Sequence, residues 1–252
     1  MFGAQLKEWR ERRRLSQLDL GLAANVSARH VSFLETGRAR PSREMVLQLA
    51  ETLEVPRAER NRLLNAAGFA PRYRSRTLED ADMAAVREAV EWTLARHDPY
   101  PGFAVDRHWR LVRMNRCAQL LFGGLGLTVG ESLLEAMARS DAVRAAVENW
   151  AEVARWAALR LRTESAHLGG DPVLDAAAER LLAEVGPAEE PDGEPPAVIP
   201  ARYRVGETTL SFFSTIAQFG SAEDIALADL RIELLFPADA QTKAMLTAMA
   251  SG

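Results

Sequence analysis

The chain of 252 residues contains one cysteine, Cys117, and no long apolar run. A single cysteine excludes an internal disulfide and any cysteine-rich metal site. No apolar stretch approaches the roughly 20 residues that a membrane-spanning helix needs. The N-terminal stretch MFGAQLKEWRERRR also lacks the apolar core of a signal peptide. These absences predict a cytoplasmic protein that does not associate with membranes.

Residue patterns typical of catalysis or metal binding are also missing. The four histidines, at positions 30, 97, 108 and 167, show no metal-ligand spacing. Gly124, Gly126 and Gly130 miss the dinucleotide-binding spacing by one residue and follow no evident strand. Cys117 is either a thiol with a lowered pKa or, as we favour, a buried structural residue. The sequence therefore predicts no enzyme, no catalytic residue, no metal and no cofactor.

Charge is divided unevenly along the chain, whose net charge is −4. Residues 1–76 hold 15 Lys and Arg against 8 Asp and Glu, a net charge of +7. The remaining residues hold 16 against 27, a net charge of −11. A basic head on an acidic body indicates that only the head contacts a polyanion such as DNA.

The basic head contains a stretch with the pattern of two short helices and a tight turn, SQLDLGLAANVSARHVSFLETGRARP over 16–41. Ser16 and Asp19 have capping-box spacing, and Ser27 caps the second helix. Asn25 falls at the turn, where its tolerance of a left-handed backbone is useful. The second helix is expected to expose Ala28, Arg29, His30, Ser32 and Phe33. Such a short, cationic, hydrogen-bonding face suits the DNA major groove.

Residues 4–67 resemble the XRE family of helix-turn-helix regulators. The matching residues are Ser16-Gln17, Leu20, Val26-Ser27, Val31-Ser32, Leu34-Glu35, Gly37 and Pro41-Ser42. The chain departs from the family pattern at Gly21, where alanine is usual, and at Asn25, where glycine is usual. The resemblance implies an all-α headpiece of five helices that binds DNA. We assign this domain to residues 1–70, with further helices predicted over 5–13, from Ser42 to about 53, and over 58–67.

The candidate DNA-binding residues are Gln17, Ser27, Ala28, Arg29, His30, Ser32, Arg38 and Arg40. Arg29 is the expected base-reading residue, because arginine can donate two hydrogen bonds to guanine. The resemblance implies a phosphate contact at Gln17, and the two arginines after the second helix are expected at the DNA backbone. Ser27 either contacts phosphate as well or only caps the helix, and capping alone would explain it. His30 either contacts phosphate or is simply exposed. Phe33 is expected to pack rather than to wedge between bases.

Residues 71–99 are predicted to be a linker followed by a helix over 80–97. Its arginines at 72, 74 and 76 are either solvated or in contact with phosphate. Helices are predicted over 116–122 and throughout 131–185. Apolar residues recur from 143 to 161 at alternating intervals of four and three, which fits a dimer seam or, as we favour, an ordinary amphipathic helix. The acidic, proline-rich stretch 186–200 predicts a mobile loop.

Strands are predicted over 103–106, 110–115, 202–205, 209–218 and 230–236. In the last of these, apolar residues alternate with Arg231 and Glu233, which predicts a half-buried strand with both charges outside. Strands, helices and then strands again indicate an α+β domain with helices over one face of an antiparallel sheet.

Residues from about 70 to 240 resemble the MmyB-like ligand-binding domain, a PAS-like fold. The resemblance is carried by Tyr100-Pro101, Val105-Asp106-Arg107, Trp109, Asn115, LSFFSTIAQFG at 210–220 and LADLRIELLFPAD with 229–239 as its core. It implies that residues 100–252 form a domain that senses an apolar, fatty-acid-like molecule between sheet and helices. We expect the same domain to dimerise. The candidate ligand-binding residues, which would otherwise be plain core, are Trp109, Trp156, Phe212, Phe213 and Phe219. Because Phe212 and Phe213 alternate along one strand, only one is expected to face a given pocket.

Together these observations predict a sequence-specific transcription regulator that binds double-stranded DNA as a homodimer on a pseudo-palindromic operator and responds to a small apolar ligand. The alternative is a helix-turn-helix regulator whose C-terminal domain has no ligand and only dimerises or recruits a protein. An enzyme with a DNA-binding head is a third and weaker alternative.

Overall fold

The computed structural model describes residues 1–186 and 197–250, so most of the predicted loop over 186–200 lies outside the described residues. The chain divides into two compact units. The first contains residues 1–75 and the short segments 166–170 and 222–225, and the second contains the remainder.

The first unit contains the five predicted helices: α1 (Phe2–Arg12), α2 (Gln17–Ala23), α3 (Ala28–Glu35), α4 (Arg43–Thr52) and α5 (Arg57–Ala66). Each helix places an apolar stripe in one shared core, which includes Leu6, Leu20, Val31, Leu49 and Leu63. Helix α1 begins three residues before its predicted start. Phe2 is buried in the same core, so the first turn has a packing partner that a sequence pattern alone does not reveal.

The turn between α2 and α3 follows the predicted local chemistry. The Ser16 hydroxyl accepts the Asp19 N–H at 3.0 Å, and the Asp19 carboxylate accepts the Ser16 N–H at 2.9 Å. Asn25 has the left-handed backbone expected at the turn, with φ of 52°. A Cβ at Gly21 would lie 2.7 Å from the Val26 carbonyl oxygen. Glycine therefore replaces the usual alanine because the chain passes too close for a methyl group.

A buried ion pair joins helices α1 and α3. Arg10 Nε lies 2.6 Å from Glu35 Oε1, and Arg10 Nη2 lies 3.0 Å from Oε2. The two side chains are only 10% and 3% exposed. Gln17 Nε2 also donates to Glu35, at 2.8 Å, which adds α2 to the same contact. Burial acts to raise the pKa of Glu35, but the bonds from Arg10 and Gln17 outweigh it and lower the pKa.

The second unit has a 3₁₀ turn at Ala81–Met83, eight helices and a five-stranded sheet within the described residues. The helices are α6 (Ala84–Arg96), α7 (Arg116–Gly123), α8 (Leu133–Arg139), α9 (Asp141–Ala146), α10 (Trp150–His167), α11 (Pro172–Val185), α12 (Ile225–Asp229) and α13 (Ala240–Ala250). The strands are β1 (Gly102–Val105), β2 (Leu111–Met114), β3 (Ala201–Val205), β4 (Thr208–Gln218) and β5 (Arg231–Pro237). Their order is β2-β1-β5-β4-β3, and every neighbouring pair is antiparallel. The predicted α+β class is confirmed.

Both faces of this sheet are covered, so the prediction of helices over one face is wrong. Ala104 of β1 pairs with Ile232 of β5, and both pack with Val90 and Leu94 of α6. The neighbouring pair, Phe103 with Glu233, points to the opposite face. All four residues of β1 are buried. A strand that is apolar at both parities needs cover on both sides.

The apolar repeat over 143–161 does not form one helix. Helix α9 ends before Val147, which is extended and makes an isolated antiparallel bridge to Tyr203 of β3. Helix α10 begins only at Trp150. Ser140 caps α9 by accepting the Val143 N–H. The spacing is continuous in sequence, but the pairing with a distant strand interrupts the helix, so neither predicted account of a single long helix holds.

Helices α12 and α13 were not predicted. Asp239 starts α13 by accepting the Thr242 N–H at 2.7 Å, and the Thr242 hydroxyl in turn accepts the Ser211 N–H of β4 at 2.9 Å. Among the described helices, none combines the length and the apolar character required to span a bilayer.

The Arg10–Glu35 pair predicts how the stability of the first unit depends on pH. The folded-state pKa of Glu35 is lowered. Its contribution to the free energy of unfolding is therefore fully present above the unfolded pKa of about 4.3 and is lost as pH falls through the folded-state pKa. Glu35→Gln should destabilise this unit by about 1–3 kcal/mol near neutral pH and remove that acid dependence. Hydrogen exchange of the α1 and α3 amides measures both effects. Glu51→Gln, an exposed change on α4, is the control, and equal protection in the two variants would contradict the prediction.

Candidate functional site

Helix α3 presents its polar side to solvent while Val31 and Leu34 anchor it in the core. Arg29 is exposed, and its guanidinium lies 5.2 Å from the centre of the Phe33 ring. This contact between cation and ring restricts the arginine side chain on the helix surface. Phe33 therefore packs, as expected, and its packing partner is the predicted base-reading residue.

The other predicted DNA-binding residues differ in their exposure to solvent and in the hydrogen bonds that they already make. Ala28, His30 and Ser32 are partly exposed on α3, whereas Arg38 and Arg40, which follow it, are exposed. Within the described part of the chain neither of these two arginines forms an ion pair. Two of the predicted residues already make hydrogen bonds within the protein. The Ser27 side chain accepts the His30 N–H at 3.1 Å, and the Gln17 amide donates to Glu35. The second N–H of Gln17 is left for another acceptor.

The second unit contains a cavity of about 490 Å³, partly open to solvent, between the sheet and helices α7 to α10. Its walls are mainly apolar, from Phe103 of β1 and Leu235 of β5 to Phe122, Leu133 and Ala157 on the helices. Pockets of this size and composition are typical of small-molecule sites. The cavity lies on the sheet face opposite to α6.

Four of the five predicted ligand-binding residues line this cavity: Trp109, Trp156, Phe212 and Phe213. Trp156 is 49% exposed. Phe212 and Phe213 both contribute to the wall, against the expectation that only one would, and the Phe213 ring also stacks on Phe236 of β5. Phe219 is not part of this wall. It packs against the cluster around α6 on the other side of the sheet.

Trp109 is held at the cavity by an unusual turn. Its backbone is left-handed, with φ of 57°, a conformation that costs free energy for a bulky residue. The Asp106 carboxylate stabilises the turn by accepting the N–H groups of His108 and Arg110, both at 2.9 Å. The indole N–H of Trp109 donates to Glu164 of α10 at 3.0 Å. The ring is thereby fixed between the β1–β2 turn and α10.

Sequence reasoning missed the polar part of the cavity wall, which contains Arg160, Tyr203, Ser214 and Glu233. Arg160 and Glu233 form an ion pair although they are 73 residues apart. Glu233 is 5% exposed and Arg231 is 9% exposed, so the prediction that β5 turns both charges outward is wrong. The sequence did contain one signal for this buried polar group: two opposite charges lie on one face of an otherwise apolar strand.

A smaller cavity of about 300 Å³ lies next to Cys117, Leu120 and Met245. It shares Leu125, Tyr203 and Phe212 with the larger one. Burial raises the pKa of Cys117 to about 11, and the charge of Asp98 acts in the same direction. The possibility of a lowered thiol pKa is therefore wrong. Residues 1–186 and 197–250 contain no cluster of His, Cys, Asp and Glu that could hold a metal.

A helix-turn-helix with an exposed polar face on α3 in one unit and a largely apolar cavity in the other define a ligand-responsive regulator of the helix-turn-helix class. Comparison with family models agrees: residues 1–63 match a helix-turn-helix domain. Residues 86–249, more than half of the chain, match the MmyB-like transcription regulator ligand binding domain, and the chain belongs to that family. The predicted combination of these two domains is thus confirmed. Comparison with curated proteins gives no match.

The raised pKa of Cys117 predicts slow alkylation of its thiol. A rise from 9.0 to about 11 leaves roughly a hundredfold less thiolate near neutral pH, and the thiolate is the reacting form. Iodoacetamide should modify the folded chain at least about tenfold more slowly than the urea-unfolded chain, as measured by mass spectrometry over time. The same single cysteine serves as its own control, and equal rates in both states would contradict the assignment.

Proposed function

We propose that this chain is a sequence-specific transcription regulator whose DNA binding responds to a small apolar molecule. The observation that carries the proposal is the largely apolar cavity of the second unit, which no side chain of the described residues fills. The ligand-free alternative requires an interior packed by the chain's own side chains. A cavity of this size is costly to maintain unless a ligand uses it.

DNA recognition is assigned to α3 and to the residues after it. Arg29 is the base-reading residue, because it is exposed and its orientation is restricted by Phe33. Ala28 and Ser32 lie on the same helix and complete the base-facing surface. Phosphate contacts are assigned to Gln17, Ser27, His30, Arg38 and Arg40. Such contacts fix the register of the helix without reading sequence.

The regulator acts as a homodimer on a pseudo-palindromic operator. A single recognition helix covers too few base pairs for tight, specific binding, and two helices on half-sites about 34–36 Å apart remove that limit. The second unit is the proposed site of dimerisation. The proposed ligand has a chain of the fatty-acyl type, and Trp109, Trp156, Phe212 and Phe213 contact it.

Cavity occupancy reaches α6 through strand β5. Glu233 and Leu235 line the cavity, whereas Ile232 packs with α6 on the other face of the same strand. A ligand that shifts β5 therefore changes the packing of α6. The size of the response is limited by the difference in ligand affinity between the two arrangements.

The assignment of Arg29 predicts a change of sequence preference on substitution. Arg29→Ala should lose about 1–3 kcal/mol of discrimination at one base pair in each half-site, seen by selection from random DNA with the full chain. Arg40→Ala is the matched comparison, because loss of a phosphate contact weakens all sequences alike. It should reduce the salt dependence of binding by about one phosphate contact per subunit. An unchanged preference in Arg29→Ala would contradict the assignment.

The sensor proposal predicts that filling the cavity abolishes ligand uptake. Ala157 is buried on α10 and lines the cavity, so Ala157→Phe should exclude bound molecules while the chain stays folded. Native mass spectrometry of the purified chain, with and without added neutral dye, measures uptake. Ala151→Phe places the same ring on the exposed side of α10 and is the control. Equal uptake by both variants, or none by the unmodified chain, would contradict the proposal.

A further inference from the structure

Among residues 1–186 and 197–250, two charged residues line the larger cavity, Arg160 of α10 and Glu233 of β5. Both are largely withdrawn from solvent, since their side chains are 11% and 6% exposed. Arg160 Nη2 donates to Glu233, and Arg160 Nε donates to Glu164 at 2.9 Å. The guanidinium also lies 4.3 Å from the centre of the Trp109 ring. The apolar wall of the cavity therefore contains one fixed ionic group.

The pair belongs to a network whose charges cancel. Glu164 bonds to Arg160, to Arg231 Nη1 at 2.6 Å and to the indole N–H of Trp109. Two arginines and two glutamates give a net charge of zero. Burial acts to lower the pKa of Arg160, but the charges of Glu233 and Glu164 outweigh it and raise the pKa, so the arginine stays ionised.

Two hydrogen-bonding groups on this wall are left without partners. Arg160 uses Nε and Nη2, and Nη1 has no acceptor among the described residues. In the same part of the chain, the Tyr203 hydroxyl makes no hydrogen bond, and burial together with the charge of Glu233 raises the pKa of Tyr203 to about 12. The tyrosine is therefore neutral. The wall offers one cationic donor and one neutral hydroxyl, with the arginine charge already balanced.

An ionised ligand head group would disturb this balance. A carboxylate that accepts from Arg160 would add a second negative charge beside Glu233 in a site withdrawn from water. Burying a charge without a counter-ion is strongly unfavourable. A hydroxyl, ester or amide oxygen can accept from the same N–H group without adding charge.

We propose that the cavity selects uncharged amphiphiles, with an apolar chain and a neutral hydroxyl, ester or amide end at Arg160 and Tyr203, and discriminates against free fatty carboxylates. The inference rests on the proposed function, and it narrows the ligand class that the family resemblance implies. Arg160 and Glu233 are the residues that set the selectivity for the head group.

The test compares dodecanol and dodecanoate, which share one chain length and differ in the head group. Each displaces the neutral dye Nile red from the full chain at about pH 8, where a free carboxyl group is ionised. Concentrations stay below those at which either probe forms micelles. Dodecanol should bind at least about tenfold more tightly than dodecanoate, which corresponds to the cost of one poorly compensated charge.

Glu233→Gln removes one negative charge and leaves the network at net +1. The variant should bind dodecanoate at least about tenfold more tightly than the unmodified chain does, with dodecanol affinity changed by less than about threefold. Glu207→Gln removes the same charge at the exposed β3–β4 turn and should change neither affinity. Circular dichroism establishes that each variant is folded. If Glu233→Gln does not fold, the comparison of the two probes on the unmodified chain decides.

The outcomes separate this inference from the proposed function. Binding of dodecanoate as tight as that of dodecanol, or tighter, by the unmodified chain would overturn the selectivity and leave the sensor intact. The same selectivity in the unmodified chain and in Glu233→Gln would overturn the role of the ion network. If neither probe nor the dye binds, the proposed function fails and the inference fails with it.

Discussion

The arrangement of the second unit depends on one constraint: neither face of strand β5 is open to solvent. This strand is third of five in the sheet, and helices cover it on one face while the cavity lies on the other. Arg231 and Glu233 must therefore be buried with partners, because an unpaired charge in such a place is very costly. Arg160 and Glu164, four residues apart on α10, supply both partners. The ion network thus fixes which part of α10 forms the roof of the cavity.

A network of this kind is not primarily a source of stability. Apolar residues of similar size could hold α10 over the sheet as well or better, whereas removing one charge from a buried set is strongly destabilising. The network instead specifies how α10 packs on the sheet, because only one register of α10 brings Arg160 to Glu233 and Glu164 to Arg231. The same register brings Trp109 into contact with both α10 residues. One set of contacts therefore defines the geometry of the wall and its polarity.

The parts of the fold that the sequence predicted are those decided by near neighbours. The capping box at Ser16 and Asp19 and the turn at Asn25 involve residues within a few positions of one another. The stripe on α4 likewise follows from helical spacing alone. What could not be predicted depends on distant partners. Val147 ends a helix because it bridges to Tyr203, and Glu233 is buried because Arg160 meets it. The Arg10–Glu35 pair of the first unit could not be predicted for the same reason. Its partners are distant in sequence, and Glu35 also accepts a hydrogen bond from the Gln17 amide.

This difference also explains why the aromatic part of the candidate site was predictable and the polar part was not. Large aromatic residues near strands and turns are good candidates for any pocket wall, and four of the five chosen ones lie there. A charged residue in a strand reads as solvent-facing unless the partner is known. The selectivity inferred for the cavity rests on that hidden partner.

In the proposed sensor, the residues that choose the ligand and those that transmit its presence are joined. Protein interiors are closely packed, so a displaced strand must be accommodated on both of its faces. Glu233 lies on the cavity face of β5 and is bonded to Arg160, while Ile232 packs with α6 on the other face. A ligand that fills apolar space equally well in both arrangements does not shift the equilibrium between them. A ligand whose polar end accepts from Arg160 acts on the group that holds β5 in place. Recognition of the head group and response of α6 therefore follow from one contact rather than from two.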